Sequence, residues 1–271
     1  MIKLGLIGFP VGHSLSPQIQ NAALKASGLE GEYCLFPIEP HDLQGLEKLL
    51  ARVRSGEVTG LNVTIPHKQN VIPFLDELTP TARSIGAVNV MYMRENRLIG
   101  DNTDAAGFLK DLKNHFASFP PHPSALVLGA GGSARSVAYA LVNDGWDVSI
   151  ASRRIEQARQ LADLFQGAHA IDFNPSSLQL SNFQLIANTT PLGMTPNVDR
   201  SPVPDNTILS KQTKIYDLVY NPRQTKLVRE ARAQGLQATT GLGMLVEQAA
   251  LGFELWTGVK LPIDVFRSAV E

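Results

Sequence analysis

One cysteine, Cys34, stands in 271 residues, so neither an internal disulfide nor a multi-cysteine zinc site can form. A buried, inert thiol in a reducing compartment is the expectation. Long apolar runs are missing too: no segment approaches the roughly 20 residues of a membrane span. The opening run MIKLGLIGF is interrupted by Pro10 and Gly12 too soon for a signal peptide. Neither sign of charge is in excess, with 24 basic residues against 25 acidic ones, which argues against a nucleic-acid or polyanion partner. Histidines and carboxylates do not recur at metal-ligand spacing, and no metal is expected. No internal repeat or low-complexity segment occurs. These absences describe a cytosolic protein with no membrane or nucleic-acid role.

What is present is an alternation of elements. The first hundred residues run KLGLIG, PQIQNAALKASG, EYCLFPIE, DLQGLEKLLARVRSG and GLNVTIP, the βαβαβ rhythm of an α/β sheet. The helical stretch AAGFLKDLKNHF and a proline-rich connection, FPPHPSAL, follow, and a domain boundary is placed close to that connection. A second rhythm then comprises ALVLGAGG, SARSVAYALVNDG, WDVSIASRR, IEQARQLADLF, FQLIANTTP and KIYDLVYNP. The helical run GLGMLVEQAALGFELWTG returns to the first domain. The fold class is therefore α/β with two domains: residues 1–103, residues 104–240, and a C-terminal segment 241–271 packing back on the first.

The stretch GLNVTIPHK reads as a strand with Leu61, Val63 and Ile65 on one face and Asn62 and Thr64 on the other. Pro66 ends the ladder, and Lys68 falls near the start of a helix, where free N–H groups disfavour a structural cation. Its presence there points to chemistry. In GFPVGHSLSPQIQN, Ser16 occupies a natural N-cap position before Pro17, whereas capping leaves Ser14 unexplained. Two hydroxyls beside Asn62 and Thr64 would suit a small polyol or carboxylate. IGAVNVMYMRENRLIGDNTDAAGF reads as a hairpin turning near Glu95 and Asn96, with Asp104 at a helix start. Asp104 is either an N-cap or the partner of Lys68 in moving a proton, and spacing leaves both open.

Gly129, Gly131 and Ala134 form G-x-G-x-x-A between an apolar strand and an alanine-rich helix, the pattern of a Rossmann-like, doubly wound dinucleotide-binding domain. An NAD site would place an acidic residue at the end of the next strand. Here that strand ends in IASRR, and Ser152, Arg153 and Arg154 suit a 2′-phosphate, favouring NADP over a merely solvated basic helix start.

Eight ordered segments, GFPVGHSLSP, GLNVTIPHK, IGAVN, GDNTDAAGF, GAGGSA, NTTPLGM, DLVYNPRQT and GLGMLVEQA, make the chain resemble the shikimate dehydrogenases over essentially its whole length. The resemblance implies reversible NADP-linked reduction of 3-dehydroshikimate to shikimate, in aromatic amino-acid biosynthesis. It implies a substrate site of Ser14, Ser16, Asn62, Thr64, Lys68, Asn89, Asp104, Tyr220 and Gln248, with Lys68 and Asp104 catalytic. It implies that Gly129, Ala130, Gly131, Gly132, Ser133 and Ala134 hold the pyrophosphate. Ser152, Arg153 and Arg154 would surround the adenosine phosphate, and Leu218 and Gly241 would lie near the nicotinamide. A small-molecule substrate and a monomer or homodimer are expected. Two departures stand out: Gln20-Asn21 replaces the family's usual His-Asn pair, and Ser152-Arg153-Arg154 its Asn-Arg-Thr. A dual quinate/shikimate dehydrogenase and a non-catalytic NADP-binding regulator are the alternatives.

Overall fold

The structure, a computed structural model, describes residues 1–116, 118–173 and 180–271. Its strands are β1 (Ile2–Gly8), β2 (Gly31–Pro37), β3 (Gly60–Val63), β4 (Glu77–Leu78), β5 (Val90–Arg94), β6 (Arg97–Asp101), β7 (Ser124–Leu128), β8 (Asp147–Ser152), β9 (Ala168–Asp172), β10 (Leu185–Asn188), β11 (Lys214–Asp217) and β12 (Ala238–Thr240). Its helices are α1 (Ser16–Ser27), α2 (Leu43–Arg54), α3 (His67–Asn70), α4 (Pro80–Ile85), α5 (Asp104–His115), α6 (Gly132–Asn143), α7 (Ile155–Ala162), α8 (Lys226–Ala233), α9 (Leu242–Thr257) and α10 (Ile263–Arg267). They form two compact units, Met1–Gly107 with Leu245–Glu271, and Phe108–Met244. The chain thus passes between units inside α5 and returns inside α9, while FPPHPSAL lies within the second unit. Packing explains the early crossing: Phe108 is buried and meets the Tyr216 ring edge-on at 4.9 Å.

In the first unit the strand order is β2-β1-β3-β5-β6-β4. β1 runs parallel to β2 and β3, whereas β5 is antiparallel to both β3 and β6. A two-residue turn joins β5 to β6. Glu95 and Asn96 both take positive φ, 51° and 60°, the type I′ geometry whose twist matches a hairpin. Asp42 accepts from the Gly45 amide to start α2, which then buries Leu46, Leu49, Leu50 and Val53 at helical spacing. They join Ile7, Leu61, Val63, Met91 and Leu98 in one core. The C-terminal segment completes this unit: Trp256 donates its indole N–H to the Met91 carbonyl at 3.1 Å, over a strand position that only Gly60 leaves open to the ring.

Strand β3 is shorter than its alternation suggests. Leu61 and Val63 are buried, but Ile65 is 53% exposed. Pairing ends at Val63, so the chain is no longer pleated where Ile65 falls.

The second unit has a wholly parallel sheet of order β12-β11-β10-β7-β8-β9. Its first strand, β7, is central, and the chain winds outward in both directions from it. Leu126, Leu128, Ile186 and Ile215 form its core, sealed by Leu227, Ala231 and Leu236. A doubly wound sheet leaves a crevice at the carboxyl ends of its strands where the order reverses, here between β7 and β10. Among the described residues, no helix is long and apolar enough to cross a membrane.

Candidate active site

A buried polar cluster in the first unit draws on four separate segments. Lys68 lies in α3, a single turn, and is only 8% exposed; its ammonium donates to Asp104 Oδ2. The other Asp104 oxygen accepts from Asn89 Nδ2 at 2.9 Å. The same amide nitrogen reaches Gln248 Oε1 at 3.2 Å and Thr103 Oγ1 at 3.0 Å. Asn89 Oδ1 accepts from the Thr103 amide at 2.7 Å, which fixes the orientation of the side chain. Asp104 is therefore not the helix cap. It is the first residue of α5, and Asn102 Oδ1 instead accepts from the Ala105 amide at 3.2 Å. The cluster thus buries a lysine and a carboxylate in direct contact, the carboxylate oriented by Asn89.

Asn62 joins the cluster by donating Nδ2 to the Asn89 carbonyl at 3.1 Å, while its Oδ1 accepts from the Tyr33 hydroxyl at 2.8 Å. Thr64 adjoins the end of β1: its amide donates to the Ile7 carbonyl at 2.9 Å, and a side chain at Gly8 would strike its methyl group. The two serines exchange the roles their spacing suggests. Ser16 is the first residue of α1, not its cap; Ser14 Oγ accepts the Ser16 amide at 3.2 Å. The caps differ because the chain is already helical at Leu15, with φ −83° and ψ −7°. Ser16 is left buried with its hydroxyl unneeded for capping. Tyr220 belongs to the second unit, in the segment following β11.

In the second unit the glycine turn leaves β7. Gly129 has φ 117°, and a Cβ there would come within 2.5 Å of Thr189 Oγ1, so only glycine fits. Gly131 faces open space, and no side chain caps the α6 N-terminus that follows. Ala130 completes the turn, Gly132 and Ser133 begin α6, and Ala134 in the same helix is buried. In the first turn of α6, Arg135 Nε is buried without a hydrogen-bond partner, and burial pulls its guanidinium below the usual range. The uncapped amides at the start of α6 suit an anion.

The Gly129 amide donates to the Ala151 carbonyl at 2.8 Å, which sets the end of β8 beside this turn. There Arg153 and Arg154 are exposed, and Ser152 Oγ donates to the Arg154 carbonyl at 2.6 Å, holding the corner closed. On the other side of β7, Leu218 donates its amide to the Asn188 carbonyl at 2.8 Å. A Cβ at Gly241 would meet the Leu218 carbonyl at 2.4 Å, so those two segments also touch. This donor set fits NADP, with amides for the pyrophosphate and two free guanidinium groups for a 2′-phosphate.

Sequence reasoning passed over Tyr33, Asn102, Thr103 and Arg135. Asn102 and Thr103 lie inside GDNTDAAGF, where four polar residues in sequence were themselves a signal. Tyr33 carried none, being one aromatic in an apolar strand.

Family models cover most of the chain. One described as the shikimate dehydrogenase substrate binding domain matches residues 6–91, one described as shikimate / quinate 5-dehydrogenase matches 115–224, and one described as the shikimate 5′-dehydrogenase C-terminal domain matches 241–271. The shikimate dehydrogenase (NADP(+)) of Carboxydothermus hydrogenoformans is 40% identical over 270 residues, 98% of this chain and 95% of that protein. The chain belongs to the shikimate dehydrogenase family. Among solved structures, the shikimate 5-dehydrogenase from Thermus thermophilus in complex with NADP(H) and shikimate is 39% identical, with a TM-score of 0.88 over 99% of this chain and 98% of that one. A quinate dehydrogenase from Corynebacterium glutamicum in complex with NAD is 30% identical, with a TM-score of 0.87 over 99% and 98%.

Proposed function

We propose that this chain, an NADP-dependent oxidoreductase of the shikimate dehydrogenase family, catalyses the reversible NADPH-linked reduction of 3-dehydroshikimate to shikimate. The observation that carries the reading is the buried Lys68–Asp104 pair, tied by Asn89 to Gln248. In the direction of reduction, the Lys68 ammonium donates its proton to the oxygen at C3 of the substrate. In oxidation it takes that proton back. Asp104 accepts from a ring hydroxyl and aims the lysine, while Asn89 holds Asp104 in place. Ser14, Ser16, Asn62, Thr64 and Gln248 bind the carboxylate and remaining hydroxyls. Bound NADPH supplies the hydride. Gly129 to Ala134 would hold its pyrophosphate and Ser152 to Arg154 its 2′-phosphate, with Leu218 and Gly241 the residues for its nicotinamide end.

Similarity to a quinate dehydrogenase supports a second reading, a dual quinate/shikimate enzyme. Quinate carries a hydroxyl that shikimate lacks, and NAD lacks the phosphate that Arg153 and Arg154 suit. Rates with shikimate or quinate, each paired with NADP or NAD, separate the two. The proposal expects shikimate with NADP to exceed the other three combinations by at least about tenfold, the effect of one charged hydrogen bond. Equal efficiency with quinate and NAD would establish the dual enzyme, and inactivity with all four would overturn both readings.

A further inference from the structure

One buried carboxylate in the second unit has no part in the roles above. Asp217, the last residue of β11, is fully buried. Its Oδ1 accepts from Asn188 Nδ2 at 2.8 Å and from the Val219 amide at 3.1 Å, and its Oδ2 accepts from Thr225 Oγ1 at 2.6 Å. The three donors come from three segments. Asn188 ends β10, Val219 lies between Leu218 and Tyr220, and Thr225 caps α8 by accepting the Val228 amide at 3.3 Å.

An ionised carboxylate only accepts, so Asp217 obliges Asn188 to turn its NH₂ toward it. Asn188 Oδ1 is then left to accept from the Thr190 amide at 2.9 Å and from Thr190 Oγ1 at 2.7 Å. Asn188 Nδ2 also reaches the Leu192 carbonyl at 3.3 Å, and the Leu192 amide donates to Thr190 Oγ1 at the same distance. These bonds shape the turn of NTTPLG. That turn adjoins the cofactor glycines, because Thr189 Oγ1 is the atom a Cβ at Gly129 would strike. It also bonds back to the Leu128 carbonyl at 2.7 Å.

We propose that Asp217 is a positioning residue for the cofactor half of the site, locking residues 189–193 and 218–220 into one arrangement against the glycine turn. The inference rests on the NADP reading above. Burial outweighs its three donors and pushes the carboxyl up to about 6. An apolar side chain would remove that penalty only by leaving the donors of Asn188, Val219 and Thr225 without this acceptor. What the carboxylate adds is orientation, since one acceptor-only group decides which way Asn188, Val219 and Thr225 face.

The experiment compares Asp217→Ala, which removes all three contacts, with Asp217→Asn, whose Oδ1 can still serve Asn188 and Val219. In the ligand-free protein, amide exchange at Thr190, Leu192 and Val219 should rise about tenfold or more in Asp217→Ala. Turnover should fall by about one to two decades, while affinity for 2′,5′-ADP, a probe of the adenosine end alone, should change less than about threefold. Asp217→Asn should recover most of both effects. If Asp217→Ala does not fold, Asn188→Ala carries the same expectations, since it removes the link to Thr190.

Unchanged loop exchange and turnover would overturn the proposal. So would losses of 2′,5′-ADP affinity and turnover in equal measure, the mark of a merely structural group. A wild-type protein that fails to bind NADPH would instead defeat the NADP reading, and the exchange rates of the free protein would still decide whether Asp217 holds the two loops.

Discussion

Lys68 illustrates how a residue that local rules disfavour acquires a reason. At the start of a one-turn helix its charge opposes the free amides, and Asp104 offsets that repulsion. Lys68→Ala should keep the fold and NADPH binding yet lose about two to four decades of turnover, the range for acid–base groups. Near-normal turnover would remove the lysine from the mechanism. Asp104→Asn should lower turnover and raise the KM for shikimate together, because the carboxylate is assigned both a substrate hydroxyl and the lysine. A change confined to the melting temperature would reduce it to a structural residue. Asp217 gives a pH prediction. Its folded pKa of about 6 exceeds the ordinary 3.8, so between those values the native state keeps a proton that the unfolded chain has released. Stability therefore falls as pH rises through that window, by at most roughly 3 kcal/mol at about 1.4 kcal/mol per unit. Melting curves should show Asp217→Asn gaining on the wild type from pH 4 to 6, and a constant gap would contradict the raised pKa.

At the scale of elements, cofactor choice is assigned to the corner between β8 and α7. Arg153 and Arg154 are exposed there, and α7 begins without a side-chain cap, so the corner holds donors rather than a carboxylate. Ser152→Asp combined with Arg153→Ala should raise the KM for NADP by about one to two decades, improve use of NAD, and leave the KM for shikimate nearly unchanged. Because these guanidinium groups face solvent, the preference of the unmutated protein should also shrink with ionic strength. An NADP preference that survives the double substitution would move phosphate recognition elsewhere, and Arg135 in α6 would be the next residue to test. Strands β9 and β12, and helix α8, escaped the sequence reading because each is short and bounded by polar residues. Their stability comes from neighbours: β9 pairs with β8 and β12 with β11, and α8 is anchored by the Thr225 cap.

Two units with separate cores give the whole molecule two places where ligands leave their mark. Shikimate should slow amide exchange at Asn62, Lys68, Asn89 and Asp104, and 2′,5′-ADP should do so at Gly131 to Arg135 and Arg153. Each ligand acting alone should protect mainly its own set. Shikimate protecting only the second unit would contradict the assignment of its site. The two cores also differ in what made them readable. The parallel sheet was legible from the apolar runs of its four central strands, β11, β10, β7 and β8, whereas in the mixed sheet the β5–β6 hairpin was marked by the polar pair Glu95 and Asn96, both at positive φ.

Taken alone, the sequence determined the α/β class, the glycine turn and its basic corner, and the polar residues of GLNVTIPHK and GDNTDAAGF. Each is a local pattern, written in periodicity or in the conformational demands of glycine. Tertiary structure decided the rest, because side-chain contacts across 15, 36 or 159 positions leave no trace in spacing. It paired Lys68 with Asp104, gave capping to Ser14 and Asn102 rather than Ser16 and Asp104, and exposed Ile65 by ending β3 at Val63. It also buried Asp217 among three donors from three segments, an arrangement that only packing can assemble, since a polar group out of reach of water must find its partners wherever the fold brings them.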